Sequence, residues 1–280
     1  MSTENALLTI LAEKIKNDSL VLPTLPEIAV RVREAADDPD VNLAKMADVI
    51  AQDPALSARM LKIANSAYIG RSIKVETLNQ AVTRIGLRQI KNIATALAME
   101  QLFVSKNDLV KAMLDKVWKL SIEVAAVAMA TMSNYLKTNK HTSLNIDTIT
   151  LATLVHNIGV LPILTEAERH EEVFAKPDFL EGAIARLAGR IGGNIMRAWE
   201  FSDDFVMIAE RWNDFRVDPE NVAYLDFVRV AAVYCDVLPI DEDKEDFYDK
   251  YIEKGVLPDE DYLESEEFLE AYNQAKSVFM

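Results

Sequence analysis

Leu151-Ala152-Thr153-Leu154-Val155-His156-Asn157-Ile158-Gly159-Val160-Leu161 is an apolar helical run with two adjacent polar side chains, His156 and Asn157, near its end. Gly159 is the residue type that most easily takes the left-handed turn closing a helix, and Pro162 discourages continuation. The pattern predicts a buried helix that stops at Gly159 with an imidazole and an amide side by side in its last turn.

A histidine beside a carboxylate at such a place suits metal-dependent phosphoester hydrolysis, because both can reach one ion from neighbouring positions. Here the neighbour is Asn157, whose neutral amide oxygen is a poor ligand for a hard divalent cation. The pair reads as a catalytic scaffold whose chemistry has been removed.

Around this stretch the chain reads as helical throughout. Half of the 280 residues are hydrophobic, enough for a sizeable core, and only eight are glycine. Helix formers recur and no alternating strand stands out, so the expected class is all-α. Residues 3–16 form an amphipathic first helix, and Leu22-Pro23-Thr24-Leu25-Pro26 is a non-helical connection. Asn42, Asp53 and Thr77 are placed to cap helices, and Leu87 to Phe103 reads as another. The polar run Ser105-Lys106-Asn107-Asp108 marks a boundary between an N-terminal helical lobe, 1–105, and a second helical bundle, 106–280. A long helix spans Leu109 to Leu136, a short one Glu166 to Phe174, and another begins at Asp178 and reaches about Phe201. In that last helix Gly189, Gly192 and Gly193 allow a neighbouring helix to approach closely. Asp218-Pro219 starts a helix running to about Leu238, and acidic amphipathic helices anchored by Phe247, Tyr251, Leu263, Phe268 and Tyr272 finish the chain.

Charge narrows the function classes. Residues 241–280 hold 14 acidic and four basic side chains, so they carry -10 of the net charge of -15. Such a balance repels phosphates and disfavours general nucleic-acid binding. A single cysteine, Cys235, makes no intramolecular disulfide, and in its apolar helix it reads as an inert core thiol. No stretch of about 18 apolar residues free of charge is expected, hence no membrane span, and a cytoplasmic location follows.

Four separate motifs, Leu22-Pro23-Thr24-Leu25-Pro26, Gln52-Asp53-Pro54-Ala55-Leu56, Ala64-Asn65-Ser66-Ala67-Tyr68 and Gln80-Ala81-Val82-Thr83-Arg84-Ile85-Gly86-Leu87, together resemble the HDOD family, the HD-related output domain. The likeness is ordered over about residues 20–160 and continues more weakly to about 240. It implies an HD-like helical bundle with an N-terminal helical lobe, related to metal-dependent HD phosphohydrolases. It further implies a bacterial output module of signal transduction.

The superfamily's metal ligands carry over residue by residue. The resemblance puts Leu120, in Trp118-Lys119-Leu120-Ser121, at the first histidine, and His156 and Asn157 at the central pair. A later histidine falls near Ala188, a His-His pair near Trp212-Asn213, and the final aspartate near Ala232, with Asp226 and Asp236 close in sequence. His141 lies in a polar loop and His170 in a charged helix, neither placed to complete a site. Arg190, Arg211 and Arg229 could offer donors to an anion in a vestigial pocket. Arg84, Arg88 and Lys91, with Arg71 and Lys74, form the most basic stretch, open to an anion or simply solvated. Asn65 and Ser66 read as satisfying backbone groups at a helix end.

The leading expectation is a non-catalytic signalling module that binds a protein partner or a small regulatory ligand, with no metal or other cofactor. The alternative is a metal-dependent phosphohydrolase acting on a nucleotide or phosphoester through a rearranged ligand set around His156. A third class, nucleic-acid binding through the Arg71 to Lys91 stretch, is disfavoured by the net charge.

Overall fold

The computed structural model describes residues 3–17, 19–66, 69, 73–169 and 177–279. Among them there is no strand, and the chain is all-α. The helices are α1 (Thr3–Lys16), α2 (Glu27–Asp37), α3 (Leu43–Ile50), α4 (Pro54–Ala64), α5 (Leu78–Ile85), α6 (Leu87–Met99), α7 (Asp108–Thr138) and α8 (Ile146–Val155). They continue with α9 (Val160–Ala167), α10 (Pro177–Ala198), α11 (Asp203–Arg211), α12 (Tyr224–Tyr234), α13 (Lys244–Glu253) and α14 (Glu266–Lys276).

Two compact units are interleaved along the chain, where the sequence pattern drew one boundary at 105/106. The first gathers residues 1–24, 102–121 and 155–218, the second 25–101, 122–154 and 219–280.

In the second unit, side-chain chemistry starts the helices as expected. Asn42 accepts a hydrogen bond from Lys45 N at 3.0 Å and Asp53 one from Leu56 N at 2.9 Å. Thr77 and Gln80 form a reciprocal capping box. Asn65 donates to the carbonyls of Leu61 and Val75 and accepts from Val75 N, tying the end of α4 to the segment before α5. The helices close on a core that includes Val32, Met46, Ile50, Met60 and Val82, and Val278 joins the same cluster.

The acidic C-terminal helices pack on this unit. Phe247, Tyr251 and Phe268 are fully buried, and Lys276 pairs with Glu123 of α7 at 2.6 Å. Residues 224–233 of α12 are all buried, including Asp226 and Arg229. Lys254 Nζ lies 2.9 Å from Asp226 Oδ1 and donates to the Pro219 carbonyl at 2.6 Å.

Several expectations are corrected. α8 ends at Val155, before His156, and Gly159 has right-handed angles of φ -64° and ψ -10°. Pro162 does not end a helix; it sits in the first turn of α9, where the missing N–H costs nothing. Of the helix expected over Glu166 to Phe174, Glu166 and Ala167 are the end of α9 and Glu168 and Arg169 form a turn after it, while residues 170–176, with His170, lie outside the described residues. α12 starts at Tyr224 rather than Pro219. Cys235 follows α12 and is half-exposed, and burial of its thiol pushes the pKa up to about 12, leaving a poor nucleophile. The run 148–165 has no charged residue, against the sequence expectation. The 146–167 stretch is apolar and long enough by composition to cross a membrane, yet 83% of its most apolar window is buried inside the protein.

Candidate functional site

The first unit holds the His-Asn pair. Residues 156–159 form a tight turn between α8 and α9, closed by Ile158 N to Val155 O at 3.0 Å and Val160 N to Asn157 O at 3.1 Å. The glycine in this turn answers to a close approach. A Cβ on Gly159 would lie 1.9 Å from the Ala188 carbonyl oxygen and 2.7 Å from Gly192 N, so the backbone of α10 rests directly on the turn. α10 approaches α11 in the same manner, where a Cβ on Gly189 would lie 2.6 Å from Glu210 O. The spaced glycines thus act as the sequence pattern indicated.

His156 is 1% exposed, and its ring meets Trp212 edge to face, with centroids 4.7 Å apart and planes at 88°. This aromatic contact was not foreseen; the only hint was a tryptophan where the resemblance places a metal-binding pair. The Asn157 amide oxygen is buried and has no hydrogen-bond partner among the described residues.

These residues do not fit a hard divalent centre. Such an ion wants several oxygen or nitrogen donors around one point. Among the described residues no group of three or more His, Cys, Asp or Glu side chains could hold one. Ala188 is buried and contributes its backbone to packing, Trp212 offers an apolar ring face, and Leu120 is half-buried on α7.

The residues expected to contact an anion fall in both units. In the first unit, Arg190 is exposed on α10, and Arg211 pairs with Glu210 and Asp214. In the second unit, Arg229 is fully buried, Arg84 donates to the carbonyls of Ala64 and Ile73, and Lys91 pairs with Asp37. The side chain of Arg88, and Arg71, lie outside the described residues. His141 is exposed in its loop.

Asp214 is a carboxylate with a strong shift. Hydrogen bonds from Arg216 hold its pKa down from 3.8 to about 2, with Arg211 adding to the effect. A depressed carboxylate stabilises the fold above its unfolded pKa, and that contribution fades as pH falls through the folded value. Asp214→Asn is therefore expected to flatten the loss of stability between pH 3.8 and about 2, measured by urea titration across that range.

Comparison with known proteins places this geometry in context. Residues 22–215 match the family model of the HDOD domain. A solved Shewanella amazonensis protein, provisionally named a metal-dependent phosphohydrolase, is 44% identical over the whole of both chains, with a TM-score of 0.93. A Marinobacter aquaeolei protein, provisionally named for signal transduction, is 18% identical with a TM-score of 0.64, covering 99% of this chain and 64% of that one. A Treponema pallidum protein of uncharacterised function is 25% identical over 192 residues. The chain spans 35% of the length of that curated relative.

Proposed function

The chain belongs to the HDOD domain family, and from that premise we propose that it is a non-catalytic bacterial output module of signal transduction that works by binding a protein partner. The observation that carries this reading is the turn at 156–159. Its histidine faces the Trp212 ring, its second polar residue is a neutral amide, and the α10 backbone lies against it. Without an ion, neither an activated water nor a charge to stabilise a leaving oxygen is supplied. The provisional name of the Marinobacter relative accords with signalling, and the net charge of -15 argues against a nucleic-acid target. A cytoplasmic location is part of the same proposal.

The name of the Shewanella relative favours a second reading, hydrolysis of a phosphoester at a divalent metal held around His156. Metal content separates the two. Purified protein incubated with manganese, iron, nickel or magnesium is expected to retain, by mass spectrometry, far less than one ion per chain, unchanged in His156→Ala. A stoichiometric ion that disappears in His156→Ala, together with phosphoester turnover, would overturn the non-catalytic reading.

A further inference from the structure

The first unit carries a groove that the His-Asn turn does not use. Val21 and Val104 are large apolar side chains left 80% and 70% exposed, and both line one cavity of about 160 Å³. Leu22, Pro23, Leu114, Leu161 and Pro162 complete its apolar walls, so a motif of the family resemblance meets the first turn of α9. Leu109, 59% exposed, neighbours the lining residue Val110. Apolar side chains this exposed and this concentrated mark a surface that another molecule covers.

The walls are pre-formed. Trp199 Nε1 donates to the Pro23 carbonyl at 3.0 Å. Asn107 Oδ1 accepts from Leu109 N and Val110 N at the start of α7. Ser105 Oγ accepts from Asn107 N at 3.0 Å and donates to Glu168 Oε2 at 3.2 Å.

Size and charge identify the occupant. A volume near 160 Å³ falls below the roughly 300–1,000 Å³ of pockets that enclose small ligands, so it suits a side-chain anchor better than a nucleotide. Among the described residues, Glu168 is the only charged residue on the lining. Among the described residues, Lys14 and the adjacent Arg169 both pair with Glu166, at 2.8 and 3.1 Å. Among the described residues Glu168 meets the neutral Ser105 hydroxyl and no cation. A half-buried carboxylate at an apolar rim is complemented by a basic group on the partner.

We propose that this groove receives a protein segment that seats one apolar side chain against Val21, Val104 and Leu161 and lays a neighbouring lysine or arginine on Glu168. The proposal rests on the reading of the chain as a protein-binding module, and it names the chemistry of the segment recognised.

A displayed library of random peptides, panned on the immobilised full chain, tests it. Enriched peptides are then synthesised and titrated by fluorescence anisotropy. They are expected to share an apolar residue beside Lys or Arg, and to bind Val104→Asp at least about tenfold more weakly, as loss of an interface anchor does. Glu168→Lys is expected to reverse the preference towards the same peptides carrying Glu in place of the basic residue. Both positions admit solvent, so melting curves of the two variants should match that of the parent chain. Empty panning, binding insensitive to Val104→Asp, or a charge preference unmoved by Glu168→Lys overturns the proposal. So does a dimer, seen by sedimentation, that Val104→Asp dissolves, since a second copy would then be the occupant. Phosphoester turnover by the parent chain with peptide binding intact would sink the non-catalytic reading alone. Absent binding with no turnover would sink the groove alone.

Discussion

Gly159→Ala is expected to lower stability by at least about 3 kcal/mol, at the upper end of overpacking costs, or to prevent folding. The added methyl would stand 1.9 Å from the Ala188 carbonyl oxygen and 2.7 Å from Gly192 N. Both obstacles are backbone, so no rotamer change relieves them, and α10 must move away from the turn. That movement would also disturb the contact of α10 with α11, where added Cβ atoms on Gly189 and Gly192 would lie 2.6 and 3.0 Å from backbone oxygens of α11. Gly182→Ala, within α10, is the control. A Cβ there meets nothing within 4 Å, so removal of a helix-interior glycine should raise stability by about 0.5–1 kcal/mol. Urea midpoints of the two variants on either side of the parent would establish the cause as contact rather than backbone freedom. Equal midpoints would refute it.

Asp226→Ala is expected to cost about 3–5 kcal/mol, the range for breaking a buried ion pair on one side. Asp226 is fully buried, and its second oxygen accepts from Ala223 N at 2.8 Å, so the carboxylate also fixes the start of α12. The side chain of Lys254 is only 13% exposed and would lose its anion. Arg229, one turn further along α12, is also fully buried, so the substitution removes the carboxylate from a region rich in enclosed positive charge. Replacing Asp226 and Lys254 together by apolar residues of similar volume should cost less than Asp226→Ala alone, because the Lys254 ammonium is then removed along with the carboxylate that holds it. A double-mutant cycle by denaturant unfolding reads the coupling directly. A cycle without coupling would show that the pair contributes nothing specific.

The features that were legible in sequence share one property: their causes lie within a few residues. Asn42, Asp53 and Thr77 cap helices through their own side chains, and Leu22 to Pro26 is non-helical because its prolines forbid the alternative. Gly159 stands out in the sequence as a helix-ending residue, yet no left-handed turn requires it. Its constraint comes from Ala188, on another helix, and no local pattern carries that information. Local sequence does not settle the places of Pro162 and Pro219, because proline is compatible both with the first turn of a helix and with the segment before one, and only packing decides which. The Trp212 ring against His156 and the groove around Val104 had no local signature either. Val21, Val104 and Leu161 are brought together from three separate parts of the chain.

The interleaving of the two units carries a consequence for synthesis on the ribosome. The core begun by Ile28 and continued to Ala98 takes in Val278 as well. At roughly 5–20 residues per second, the 180 residues between Ala98 and Val278 delay that last contact by about 10–40 seconds. The nascent chain therefore waits that long before Val278 can take its place in the earliest core. During that interval this core is one more apolar surface that holding chaperones could recognise.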